Sequence, residues 1–68
     1  MEKGWFCVGY NIDNGSKTET WDMYVLAPTI SMAKKMTLEE CKKYNPKAKI
    51  TIVDARKVSE DEMYNAVN

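Results

Sequence analysis

Hydrophobic and polar residues alternate along two runs near the start of the chain, Gly4–Ile12 and Thr18–Ala27. Both runs are rich in aromatic and β-branched residues, which favour strands. The segment Asp13–Ser16 between them contains Asn-Gly, the strongest short-range signal for a β-hairpin. The sequence therefore predicts that the two runs pair as a hairpin.

A helical period replaces the alternation over Ala27–Pro46. Thr29 or Ser31 can cap the start of this helix, and Asn45-Pro46 ends it. Helical spacing places Lys35, Glu39, Lys42 and Lys43 on the outer side. The residues predicted on the inner side are Ile30, Ala33, Met36, Thr37, Cys41 and Tyr44.

Two further elements complete the chain. Ala48–Val58 is predicted to be a third strand, in which Ile50 and Ile52 alternate with Thr51 and Val53. Ser59–Asn68 is predicted to be a short helix that begins with a capping box, Ser59 to Glu62. The residues expected on its apolar side are Met63, Ala66 and Val67.

This ββαβ order followed by a short helix predicts a single α+β domain over residues 1–68. A three-stranded sheet is expected to carry the long helix on one face, with the short C-terminal helix after it. A right-handed crossover from the second strand would place the third strand beside the first.

The hairpin turn predicts which side chains share a face of the sheet. With Asn14 and Gly15 at its centre, Trp5 would pair with Tyr24, and Val8 with Trp21. The face predicted to pack on the long helix, with Ile50 and Ile52, holds Phe6, Val8, Tyr10, Ile12, Trp21, Met23 and Val25. The opposite face holds Trp5, Cys7, Gly9, Thr20, Asp22, Tyr24 and Leu26. A one-residue slip would exchange the two sets.

The face opposite the long helix is the predicted binding surface. Tryptophan and tyrosine are the residue types that most often dominate protein interfaces, so Trp5 and Tyr24 are its expected anchors. Asp22 and Leu26 are expected to contribute. The alternative is that Ser59–Asn68 folds back over the two rings.

Composition narrows the functional classes. Hydrophobic residues make up 44% of the chain and charged residues 29%, which is typical of a globular protein. No apolar run approaches the roughly 18 residues of a membrane span, and no signal peptide is recognisable, so the chain is expected to be cytoplasmic and without a membrane partner. Residues 34–57 hold eight basic and three acidic residues. Lys34, Lys35, Lys42 and Lys43 form a possible secondary basic surface.

Catalytic and metal-binding residues are not apparent in the sequence. The chain has no histidine, and its two cysteines, Cys7 and Cys41, are expected to be free thiols on different surfaces. The glycines do not form a phosphate-binding loop. The chain is therefore not expected to be an enzyme or to bind a metal or a cofactor.

The segments Tyr24–Lys35 (YVLAPTISMAKK) and Asn45–Val58 (NPKAKITIVDARKV) are similar to a pattern in small ββαβ proteins of phages and mobile elements. The resemblance implies a compact accessory protein. Some proteins of this type, anti-CRISPR inhibitors included, cover a functional surface on a larger protein. The resemblance assigns no functional residue.

The expected function is therefore protein binding without catalysis. The partner would be another protein or a second copy of the chain, which would make it a self-associating structural protein. A single-stranded nucleic acid is the alternative, because aromatic rings on an open sheet can stack on bases.

Overall fold

The computed structural model describes residues 2–67, with side chains described for residues 2–66. Two strands, β1 (Gly4–Asp13) and β2 (Thr18–Ala27), lead into the helix α1 (Ile30–Tyr44). The strand β3 (Lys49–Val58) and the helix α2 (Glu60–Val67) follow. The predicted α+β class and the order of elements are confirmed.

The β1–β2 hairpin forms as predicted, but its register differs from the prediction by two residues. Asp13 pairs with Thr18, so the loop spans residues 14–17, and Trp5 pairs with Leu26 rather than with Tyr24. Among the described residues only Gly15 has positive φ, at 98°. A type I′ turn would need positive φ at Asn14 too, whereas a type II′ turn needs it only at its first central residue. Gly15 and Ser16 are therefore the central residues of the turn.

This shift leaves the predicted faces intact, because side chains alternate with a period of two residues. Phe6 still shares a face with Val8 and Val25, and Trp5 still shares the other face with Tyr24. The prediction of the faces is confirmed, although the predicted partners on them are wrong.

The sheet has the order β2-β1-β3, and β1 is antiparallel to both neighbours. The predicted position of the third strand beside the first is thus confirmed. Gly9 pairs with Asp54 and Tyr10 pairs with Ile52, so Val53 is an extra residue that forms a β-bulge. Both β2 and β3 are edge strands.

α1 begins where the sequence predicts. The Thr29 side chain accepts a hydrogen bond from the Met32 backbone N–H at 3.1 Å and so caps the helix. Ala33, Thr37 and Cys41 are its buried residues, and the Thr37 hydroxyl donates to the Ala33 carbonyl at 2.9 Å. The core between α1 and the sheet consists of Phe6, Val8, Val25, Ala27 and Ala33, with Met23, Ile52 and Ala55 packed against it.

Three residues predicted in this core, Trp21, Met36 and Tyr44, are exposed instead, as is Ile30 on the predicted inner side of α1. Trp21 is 52% exposed and Tyr44 is 71% exposed. α1 starts just after β2 and ends just before β3, so it crosses the sheet from one edge to the other. Its later turns consequently leave β2, where Trp21 lies, uncovered. Tyr44 is in the last turn, next to the chain's exit from the helix.

α2 packs on the face of the sheet opposite α1. The Ser59 side chain accepts a hydrogen bond from the Glu62 backbone N–H at 3.0 Å, which is one half of the predicted capping box. The Glu62 side chain instead forms an ion pair with Arg56. Met63 is buried and Ala66 is exposed, while the predicted contribution of Val67 lies outside the described side chains.

Candidate binding surface

The face predicted to be open is partly covered by α2. Met63 is 6% exposed and forms a buried cluster with Cys7 and Val58, and Trp5 and Tyr24 pack against this cluster. The alternative that the terminal helix folds back over the rings is thus the arrangement observed. Trp5 and Tyr24 are half-buried, and they support α2 rather than forming a fully open aromatic pair.

The Tyr24 ring lies at the boundary between the covered and uncovered parts of this face. Desolvation, followed by the neighbouring Cys7 thiol, raises the pKa of Tyr24. The Arg56 guanidinium and the Glu62 carboxylate, 2.6 Å apart, also lie close enough to act on Tyr24. Tyr24 therefore packs against the cluster under α2 and also belongs to the outer strand of the sheet, β2.

An acidic row crosses the uncovered part of the same face. Asp22 and Asp54 both pair with Gly9, one from each neighbouring strand. A Cβ atom on Gly9 would lie 2.5 Å from Asp54 Oδ1 and 3.3 Å from Asp22 Oδ1, so both carboxylates turn toward the space that glycine leaves. This row gives the surface beside α2 a negative charge.

The outer edge of β2 carries unpaired backbone groups. The Asn14 backbone N–H donates to the Lys17 carbonyl at 3.2 Å, which makes residues 14 and 17 a hydrogen-bonded pair. Hydrogen-bonded and non-hydrogen-bonded pairs alternate along an antiparallel hairpin. Along β2, the residues whose backbone N–H and C=O groups point away from β1 are therefore Thr18, Thr20, Asp22, Tyr24 and Leu26.

An apolar groove of about 400 Å³ follows this edge. Leu26 is 41% exposed on one side of the edge, and Met36 of α1 is exposed on the other side. The residues that line the groove are Trp5, Met23, Tyr24, Val25, Leu26, Met36 and Glu40. An added strand would find backbone partners on β2 and apolar side chains on both sides of it.

The two edges of the sheet differ in their protection against such pairing. Proteins protect edge strands with lysine, proline or bulges, because an exposed regular edge pairs with other chains. The sequence Lys49–Val58 of β3 contains three basic residues, Lys49, Arg56 and Lys57, and the bulge at Val53. The ten residues Thr18–Ala27 of β2 contain neither lysine, arginine nor proline, carry charge only at Glu19 and Asp22, and pair regularly with β1.

The predicted basic surface lies on the other face of the sheet from the predicted aromatic anchors. Lys34, Lys35, Lys42 and Lys43 are exposed on α1, on the opposite face of the sheet from Trp5 and Tyr24. Lys43 Nζ lies 5.7 Å from the centroid of the Tyr44 ring. These lysines therefore form a second surface rather than a border of the acidic row.

The cysteines are free and buried, each beside a tyrosine, as the sequence predicts for the thiols. Burial raises the pKa of Cys41, while the neighbouring Tyr10 side chain acts in the opposite direction. Burial also raises the pKa of Tyr10. Both groups are therefore protonated at neutral pH, which disfavours a nucleophilic role.

Comparison with protein-family models, with curated proteins and with solved structures finds no match to this chain. Across residues 2–67, neither helix has the length and apolar character needed to cross a membrane. The same residues contain no group of three or more histidine, cysteine or acidic side chains placed to hold a metal ion.

The sequence prediction placed the binding surface on a face, and the groove at the β2 edge was not foreseen. Trp5, Tyr24 and Leu26 of the predicted surface line the groove, and Asp22 lies on the same edge strand, whereas Met36 had been predicted in the core. The signal that identifies the edge was present in the sequence. It is the absence of lysine, arginine and proline over ten residues that form a strand.

Proposed function

We propose that this protein is a non-enzymatic protein-binding module that pairs an extended segment of its partner with the outer edge of β2. The observation that carries the proposal is the unprotected edge, with free backbone groups at Asp22, Tyr24 and Leu26 beside an apolar groove. In strand addition, backbone hydrogen bonds supply affinity and pockets for alternate side chains supply specificity. Both features lie together here.

The side chains near the β2 edge place apolar contacts at one end of the added strand and charged groups farther along it. Leu26 and Met36 offer apolar area on opposite sides of the added strand. Asp22 and Asp54 lie farther along the uncovered face. A partner segment with alternate apolar residues would fill the groove, and charge on that segment would set its register.

A single-stranded nucleic acid is less well supported as the partner. Base stacking requires rings that are free on one face, whereas Trp5 and Tyr24 pack against the cluster under α2. The phosphate backbone requires nearby cations, whereas Asp22 lies on the β2 edge and Glu40 lines the groove beside it. The lysines of α1 remain a surface on which such binding is testable.

Charge substitution at the two edges tests the proposed function. The baits are the native chain, Leu26→Lys at the β2 edge and Val53→Lys at the β3 bulge, used with a nuclease-treated lysate. Leu26 and Val53 are both exposed, so the two variants are matched in chemistry and differ in position. The proposal expects a protein that the native chain and Val53→Lys retain and that Leu26→Lys loses.

The result that overturns the proposal is equal retention of every captured protein by Leu26→Lys and the native chain. Loss of binding after substitution of the α1 lysines, with a steep dependence on salt, would instead support the nucleic-acid alternative. The resemblance to accessory proteins of phages and mobile elements, anti-CRISPR inhibitors included, stays a prediction. The identity of a captured partner would test it.

A further inference from the structure

We infer that the β2 edge binds a second copy of this chain, so that two β2 strands pair antiparallel across a two-fold axis and form a six-stranded sheet. This inference rests on the proposed function, because it names the occupant of the same edge. A two-fold axis requires a surface that is complementary to itself. The β2 edge meets this requirement in its backbone, because two antiparallel copies present the same free N–H and C=O groups to each other.

Charge and backbone pattern restrict the register of this pairing. Free backbone groups occur at Asp22, Tyr24 and Leu26, so these positions must face one another in the dimer. Placing the axis at Asp22 would set two carboxylates directly opposite, which is unfavourable. Placing it at Met23 sets Asp22 opposite the second copy's Tyr24, and Thr20 opposite its Leu26.

The exposed Trp21 selects the axis at Met23. Trp21 lies on the α1 face of β2, where α1 leaves it 52% exposed. With the axis at Met23, Trp21 stands opposite Val25 of the second copy. Val25 and Met36 line the groove, so the indole ring of each copy would enter the groove of the other. In this register the exposed Trp21 of each copy is buried and the apolar groove of each copy is filled.

The same register predicts an effect of the Asp22 charge on the dimer that is opposite to its effect on binding of a basic segment from a foreign partner. The two Asp22 carboxylates become diagonal neighbours, about 7–8 Å apart between backbone positions. Their repulsion opposes the dimer. Removing this charge should therefore strengthen self-association, whereas it should weaken binding of a basic segment.

Sedimentation equilibrium of the purified chain, from micromolar to millimolar concentration, measures the self-association. We expect Trp21→Ala to raise the dimer dissociation constant at least tenfold, because a buried tryptophan is a typical interface hot spot. Asp22→Asn should lower it about two- to fivefold, the range expected for an exposed charge pair. Val53→Ala, at the other edge, should leave it unchanged.

Cysteine cross-linking locates the axis. In a non-hydrogen-bonded antiparallel pair the Cα atoms are about 4.5 Å apart, within the range of a disulfide. Met23→Cys should therefore form a disulfide-linked dimer under mild oxidation. The native chain is the control, because Cys7 and Cys41 are buried. Tyr24→Cys and Asp22→Cys would form the disulfide-linked dimer if the axis lay at residue 24 or at residue 22. The inference excludes both of these registers.

A chain that stays monomeric at millimolar concentration overturns the inference, as does a dimer that Trp21→Ala leaves unchanged. Cross-linking at residue 22 or 24 in place of 23 overturns the register. The proposed function is tested separately. A monomeric chain that captures a foreign protein which Leu26→Lys releases would overturn the inference and support the proposed function. A dimer that Leu26→Lys does not weaken would also overturn the inference, because the two copies would then meet at a surface other than the β2 edge.

Discussion

Truncation of Met63 to alanine tests whether α2 is held on the sheet by one side chain. Met63 is 6% exposed and packs against Cys7 and Val58. Replacing a buried methionine with alanine costs about 2–5 kcal/mol, and the lower end applies where neighbours relax into the space. A helix of eight residues is too short to be stable alone. We therefore expect a loss of about 2 kcal/mol in the docking of α2 rather than in the whole fold.

The Cys7 thiol measures this docking directly, because α2 buries it. A tenfold change in an equilibrium corresponds to about 1.4 kcal/mol, so a loss of about 2 kcal/mol raises the labelling rate of Cys7 about 30-fold. Cys41 is a buried residue of α1 and serves as the internal control. The assay is timed labelling of the native chain and of Met63→Ala with a thiol reagent, followed by peptide mass spectrometry.

A matched alanine variant on α2 distinguishes loss of the Met63 contact from a change in helix propensity. Tyr64 is adjacent on α2 but exposed, so Tyr64→Ala should leave the labelling rate of Cys7 within about threefold of the native rate. Equal acceleration of Cys7 and Cys41 in Met63→Ala would show that α2 melts together with the domain. Rapid labelling of Cys7 in the native chain would show that α2 is undocked. Either result refutes the reasoning.

Three further predictions concern the core, the turn and the response to pH. Val8 is fully buried in the central strand, so Val8→Ala should lower the free energy of unfolding in urea by about 2 kcal/mol. Val53→Ala, at an exposed position, should change it by less than about 0.5 kcal/mol. Gly15→Ala should cost about 1 kcal/mol by the same measurement, since only the positive φ is unfavourable there. The pKa values of Tyr10 and Cys41 are raised above 10.0 and 9.0, so the folded state holds these protons more tightly than the unfolded state. The stabilisation that these two protonated groups give the folded state should be complete at neutral pH and should be lost as the pH rises above their pKa values. Urea unfolding at neutral pH and at a pH above these pKa values measures the change. An equal free energy of unfolding at both pH values would contradict the prediction.

Local signals in the sequence sufficed for the elements and for the faces of the sheet. Thr29 caps α1 as predicted, because the capping bond involves only neighbouring residues. The face assignment tolerated the error in register, because a shift of two residues preserves the alternation. The turn type itself was not determined by Asn14-Gly15, since Gly15 can occupy either central position of a hairpin turn.

The exposure of side chains near the edges of the sheet could not be predicted, because the sequence pattern does not say where the two helices pack. Trp21 has the alternation of a core residue, yet it is exposed because α1 crosses from β2 toward β3. Met63 has the helical spacing of an apolar side, but the pattern does not say whether that side packs on its own sheet. The spacing alone therefore could not decide how much of Trp5 and Tyr24 remained open.

The connection between β2 and β3 accounts for the position of the candidate surface. Because β1 occupies the centre, the crossover through α1 must travel from one edge strand to the other. The start of the helix protects Val25 and Ala27, while the hairpin half of β2 is left with an exposed Trp21. On the opposite face α2 follows directly from β3 and packs Met63 against Cys7 and Val58, so it supplies no strand to the β2 edge. Within residues 2–67 the topology thus leaves the outer edge of β2 unpaired, and this edge is where we propose that a partner binds.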